Sequence, residues 1–267
     1  MIFSHSGHLG DVLYSLPAVK ILTDHEEAVM IIKAKFEDRK GAVNHNTGEE
    51  GNNYNQVDAL KDLLLAQSFI SEVREYRPPP GYDGDEYWEP KSWAGVAREI
   101  NYDLDRSRDQ HQRKTVFHVK RYFDTFGISA DDRVPWLEID EEPGPLSNFF
   151  DSGGTYAIFH VTEHWNGFII DWTKVYYQAL AKYDKVYFTG YRAEYENFER
   201  HFSTMIDYLP TKNLLELART IRDAGAVYTN QNCALVIAQG LGKKYFLVPF
   251  SGRTHCIMKT VNENILP

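Results

Sequence analysis

Near the start of the chain, the run Ser6-Gly7-His8-Leu9-Gly10-Asp11-Val12-Leu13-Tyr14-Ser15-Leu16-Pro17 sets a carboxylate directly behind two glycines. Glycine lets backbone approach a ligand closely, and a carboxylate at such a rim can take a proton from a hydroxyl group. The same Asp11 reads as an N-cap, since aspartate stabilises a helix start by accepting from its unpaired N–H groups. Some two hundred residues further on, Asn230-Gln231-Asn232 follows the apolar run Ala226-Val227-Tyr228-Thr229 and precedes a helix-forming stretch. Backbone N–H groups and the helix dipole at such a junction favour a diphosphate. Gly190 closes another strand-like run, and Glu216 lies three residues after Asn213 in a capping-box spacing.

Other constellations are weaker. Asp83-Gly84-Asp85 has the DxD form of a metal motif, but it follows three prolines and reads as an acidic surface loop. His5 and His8 lack a third ligand at sensible spacing, and one of them is expected to line the acceptor cleft. Arg106, Arg108, Arg113, Lys114, Lys120 and Arg121 crowd a stretch whose sole acid is Asp109. Such a run is a solvated helix face or a contact for an anion: donor phosphates, a phosphorylated acceptor or nucleic acid. His160, Thr162, His164 and Trp165 follow a strand and face either the donor or the sheet.

The elements that must position these groups alternate. Strands are expected at 1–5, 28–32, 69–76, 156–161, 185–189, 226–229 and 245–248. Helices are expected from Asp11, with a kink or early stop at Pro17, and over 56–67, 107–126, 172–182, 193–202, 213–224 and 234–239. Residues 37–55, rich in Gly and Asn, read as a mobile surface loop. Alternation of this kind predicts parallel sheets covered on both faces, which bind ligands at the carboxyl ends of their strands. The acidic turn Asp140-Glu141-Glu142-Pro143-Gly144-Pro145 is the expected linker, dividing the chain into 1–145 and 146–267.

Composition sets limits. The chain has 267 residues, 29 basic against 38 acidic, and a net charge of −9, which argues against a surface that grips nucleic acid throughout. No apolar run approaches the ~20 residues of a membrane span. The N-terminus is too short and polar to read as a signal peptide. Two cysteines, Cys233 and Cys256, form no CxxC, so a reduced, cytoplasmic protein is expected.

The segment with Leu9-Gly10-Asp11 and Pro17 resembles the opening of the heptosyltransferase-like enzymes, glycosyltransferase family 9, which have the GT-B fold. Residues 214–244 are similar to that family's donor half. The resemblance covers about residues 1–22 and 155–250. It implies an α/β protein of two Rossmann-like domains with parallel sheets and an interdomain cleft. It further implies an inverting, metal-independent transferase with no cofactor beyond a nucleotide-sugar co-substrate. Asp11 would be the general base, Gly7, His8 and Gly10 the acceptor-side loop, and Gly190, Glu216, Asn230, Gln231 and Asn232 the donor contacts. Arg106, Arg108, Arg113 and Lys114 are candidates for phosphate. Two positions depart from the family: its Asp is Gln231 here, and its helix His is Val236. The acceptor (a glycan, a small molecule or modified nucleic acid) is left open. So are a viral-type DNA-base glycosyltransferase and a non-catalytic nucleotide-sugar-binding protein on the same fold.

Overall fold

The structure, a computed structural model, describes residues 1–6, 9–33, 36–37, 54–77, 93, 95–107, 117–162, 170–202, 204–248 and 263–265. The first half opens with β1 (Ile2–His5), α1 (Leu9–Leu22) and β2 (Ala28–Lys33). A short ribbon follows, β3 (Phe36–Glu37) against β4 (Tyr54–Asn55). Then come α2 (Gln56–Leu65), β5 (Ile70–Tyr76), β6 (Tyr102–Asp103) with a 3-10 turn at Leu104–Ser107, and α3 (His118–Phe126). Four of these strands form one parallel sheet in the order β5-β2-β1-β6.

The second half starts with α4 (Ser147–Asp151) and β7 (Tyr156–His160). It continues through α5 (Trp172–Leu180), β8 (Lys185–Phe188), α6 (Arg192–Phe202) and β9 (Asp207–Tyr208). Next are α7 (Leu214–Asp223), β10 (Ala226–Asn230), α8 (Cys233–Gly240), β11 (Tyr245–Val248) and β12 (Glu263–Ile265). These six strands pair in parallel in the order β12-β11-β10-β7-β8-β9. β7 and β10 are buried along their whole length, as central strands covered on both faces must be.

The halves are joined by more than the connecting chain. One apolar cluster runs through both, holding Val12, Leu13 and Leu16 of α1, Leu60, Leu63 and Leu64 of α2, Leu217 and Ile221 of α7, and Leu235 and Val236 of α8. The expected linker is strapped down. Arg219 clasps Asp140 through two bonds of 2.9 and 2.6 Å and pairs with Glu142. Arg222 donates to the carbonyls of Asp140 and Glu142, and Gly144 N–H to Asp223.

Three expectations are corrected. α1 begins at Leu9, two residues before Asp11, so Asp11 sits inside the first turn and not at the cap. The helix also passes through Pro17 to Leu22. Proline removes the N–H that would serve the carbonyl four residues back. That carbonyl belongs to Leu13, and the indole N–H of Trp136 donates to it at 3.1 Å. The helix expected over 107–126 is a 3-10 turn to Ser107 and then α3 from His118, with 108–116 outside the described residues. α3 stops at Gly127, left-handed at φ 67°, where glycine has no penalty. Of the expected loop at 37–55, residues 38–53 lie outside the described residues. β9 and β12, too short to stand out in sequence, extend the second sheet at its two edges.

Candidate active site

At the carboxyl edge of the first sheet, three strand ends carry polar residues into the interior. β1 ends in His5 and Ser6, β2 in Lys33, and β6 runs into Asp103 and Asp105. His5, Ser6, Lys33 and Asp105 are all buried. Both carboxylate oxygens of Asp105 accept from Ser6 N–H, at 3.2 and 3.1 Å, and Asp105 Oδ1 lies 3.7 Å from His5 Nδ1. Asp103 accepts from Ser4 Oγ and from Asp105 N–H. Burial, and then the neighbouring charge of Asp105, raise Asp103 above the usual carboxylate range. Burial lowers Lys33 to about 8, against the pull of Asp105 and Asp103. His5, expected as one of two residues able to line the cleft, is instead fully enclosed; its Nε2 is 2.9 Å from the Tyr122 hydroxyl.

Asp11 stands where the halves meet. A Cβ placed on Gly10 would lie 3.3 Å from Val236 Cγ2, so the first turns of α1 and α8 are in contact. One turn further along, Tyr14 donates to Gln239 at 2.8 Å. The two contacts advance in the same direction along both helices, so α1 and α8 lie side by side and parallel. Their N-terminal ends therefore open on the same place, and both present positive dipole ends there.

At the carboxyl edge of the second sheet, Asn232 is the N-cap of α8. Its Oδ1 accepts from Ala234 N–H and Leu235 N–H, and its amide donates to His160 O and to Asn230 Oδ1. Asn230 in turn donates to Thr162 O and accepts from Thr162 N–H. The two carboxamides thus fasten the ends of β7 and β10 together and shape the loop before α8. Gln231 is buried between them in sequence. Gly190 has φ 133°, and a Cβ there would meet Glu194 Oε2 at 3.2 Å and His160 Nε2 at 3.7 Å. Tyr208 donates to Gly190 O at 2.9 Å, and Tyr191 N–H to Glu194. Burial, and then the charge of Glu194, push the Cys233 thiol up to about 12, so it stays protonated at neutral pH.

The structure thus gathers Gly190, Asn230, Gln231 and Asn232 on one sheet edge. Glu216 lies apart from them at the start of α7: Asn213 caps the helix by accepting from Glu216 N–H, while the Glu216 carboxylate accepts from Lys212 N–H, one residue before the cap, in place of the Asn213 N–H of a capping box. Gly7, His8, Arg108, Arg113, Lys114, His164, Trp165 and residues 83–85 lie outside the described residues. Of the basic run, Arg106 is exposed and Lys120 is paired with Asp124 within α3. Sequence reasoning passed over Glu194, Tyr122 and Asp105. Glu194 had a faint signal, an acid in the first turn of a helix that starts just after a glycine; the other two had none, because their roles depend on tertiary contacts. Among the described residues no group of three or more His, Cys, Asp or Glu is placed to hold a metal, and no helix is long and apolar enough to cross a membrane.

Two Rossmann-like domains with parallel sheets, facing each other across a cleft, define the GT-B class of α/β fold. Among solved structures, the chain is similar to a glycosyltransferase family 9 protein from Veillonella parvula DSM 2008, at 15% identity and a TM-score of 0.64, over 99% of this chain and 84% of that one. It is similar to E. coli ADP-heptose LPS heptosyltransferase II, at 12% identity and a TM-score of 0.61, over 99% and 89%. It is also similar to E. coli heptosyltransferase WaaC with ADP, at 13% identity and a TM-score of 0.58, over 99% and 92%. At such identities the likeness is one of fold. No family model matches the chain. A stretch of 94 residues is 30% identical to tRNA dimethylallyltransferase 2 of Syntrophus aciditrophicus (strain SB), covering 33% of this chain and 29% of that protein's length.

Proposed function

We propose that this protein is an inverting, metal-independent glycosyltransferase that moves a sugar from a nucleotide-sugar donor to an acceptor hydroxyl. The observation that carries the reading is the contact of Gly10 with Val236, which brings the start of the Asp11 helix against the start of the donor-side helix. Residues 1–145 form the acceptor side and 146–267 the donor side, in a cytoplasmic setting. Asp11 takes the acceptor proton while the acceptor oxygen attacks the anomeric carbon from the face opposite the leaving group. The bond from that carbon to the diphosphate oxygen breaks, and the nucleoside diphosphate leaves with the electron pair. The amides at Gly190 and at the start of α8, with both helix dipoles, face the charge that develops there. Asn230 and Asn232 act by shaping this loop, Gln231 and Glu216 by contact with the donor. Of the described members of the basic run, Arg106, Lys120 and Arg121, the exposed Arg106 is the one offered to an anionic group. Lys120 is already paired, which weighs against the run as a DNA-tracking surface.

The test separates base from helix-starting residue. Asp11→Asn keeps an oxygen acceptor in the first turn but cannot take up a proton. Turnover should fall by at least about 100-fold, the low end of general-base effects, with near-native melting and donor affinity. Normal turnover would refute the assignment. EDTA should leave turnover unchanged.

A further inference from the structure

Tyr122 of α3 is buried and stands at the middle of a chain of contacts that reaches Asp11 from behind. Its hydroxyl donates to the backbone carbonyl of Asp11 at 3.1 Å, and its oxygen is 2.9 Å from His5 Nε2. A phenol has one hydrogen to give. With that hydrogen directed at Asp11 O, the Tyr122 oxygen accepts from His5 Nε2–H, and the pairing of Nδ1 with Asp105 then requires a proton on that nitrogen as well. The other ring nitrogen faces the Asp105 carboxylate, which is itself held by the Ser6 amide. Residues of the 3-10 turn after β6, of β1, of α3 and of α1 are thus connected in series, from a buried carboxylate to the first turn of the helix that presents Asp11. The Asp11 carbonyl, with two lone pairs, takes this bond in addition to its place in the helix.

We propose that Tyr122, oriented by His5 and Asp105, is a positioning residue for Asp11: it ties the first turn of α1 to α3 and holds the Asp11 carboxylate toward the cleft. The proposal rests on the reading of Asp11 as the base. Its direct consequence is that removing one hydroxyl loosens one turn of one helix without unfolding the protein.

The experiment has two arms on the full chain. Hydrogen exchange followed by mass spectrometry compares wild type with Tyr122→Phe over peptides covering residues 9–16 and 17–22. Exchange in the first peptide should quicken about fivefold, the effect of one lost hydrogen bond, with the second peptide unchanged and Tm lowered by roughly 2–12 °C for the buried His5 N–H left without its acceptor. ADP release from ADP-heptose, with water as acceptor, provides the kinetic arm. Tyr122→Phe should lower kcat about fivefold or more with donor KM unchanged, and His5→Gln, which keeps an N–H able to reach the hydroxyl, should keep most of the rate. Unchanged exchange over 9–16 overturns the proposal whatever the kinetics. Wild-type kcat in Tyr122→Phe beside an inactive Asp11→Asn overturns it while sparing the base. Full activity of Asp11→Asn removes the base itself. A wild type that releases no ADP counts against this donor, and the exchange arm then decides the positioning alone.

Discussion

Trp136 and Pro17 should behave as a compensating pair. Pro17 lies in the middle of α1 and leaves the carbonyl of Leu13 without its helical donor; the Trp136 indole supplies one at 3.1 Å. Leu13 is fully buried, so water cannot replace the indole. Trp136→Phe removes that donor, at a cost of about 1–3 kcal/mol for an unsatisfied buried acceptor. Shrinking the ring adds about 1–2 kcal/mol of lost packing. The sum, about 2–5 kcal/mol, corresponds to a fall in Tm of roughly 4–20 °C for a chain of this size. Pro17→Ala restores a backbone N–H to the helix, and that N–H can reach the Leu13 carbonyl. In the Pro17→Ala background the same Trp136→Phe change should therefore cost only the packing part. The four proteins form a double-mutant cycle, read by chemical denaturation, with an expected coupling of about 1–3 kcal/mol. If Trp136→Phe costs the same with and without Pro17, the indole is not standing in for the missing amide, and the account of how α1 survives its proline fails.

Three further outcomes are expected. Lys33 has a folded-state value of about 8 against an ordinary 10.5, so between these the unfolded chain holds a proton that the folded chain has lost. Stability then rises with pH through that window, and Tm measured from pH 7.5 to 9.5 should climb in wild type relative to Lys33→Met. Equal slopes in the two proteins would contradict it. Gly190→Ala places a Cβ at φ 133° and 3.2 Å from Glu194 Oε2, and should lower stability by about 1–3 kcal/mol, seen as a shifted urea midpoint. Asn230→Ala and Gln231→Ala should each weaken binding of ADP in calorimetry, and unchanged affinity in both would move the donor site elsewhere.

Much of the frame is legible in the residues themselves. Central strands such as Tyr156–His160 and Ala226–Asn230 are short, apolar and bounded by turns, and the N-cap at Asn213 is a local device that needs no tertiary context. What sequence could not show depends on partners far away. Pro17 speaks for a break until Trp136 is placed against Leu13, 123 residues on. His5 reads as one of two residues able to line the acceptor cleft until the turn after β6 closes over it with Asp105. Asn230 and Asn232 read as ligand contacts, while their carboxamides in fact fasten β7 to β10.

The pairing of Gly10 with Val236 links a departure from the family to the chemistry proposed here. A Cβ added at Gly10 would lie 3.3 Å from Val236 Cγ2, so a side chain larger than glycine at position 10 would crowd the start of α8. A glycine on one helix and a compact apolar side chain on the other allow the two N-terminal ends to lie together. Each end favours negative charge by about 0.3–1 kcal/mol at exposed sites and more where water is partly excluded. The diphosphate leaves into the same field. Proton uptake by Asp11 reduces the negative charge near the helix ends at the step when charge on the departing diphosphate grows there. In the proposed reaction, side-by-side helix starts would favour concerted attack and departure over prior deprotonation of the acceptor.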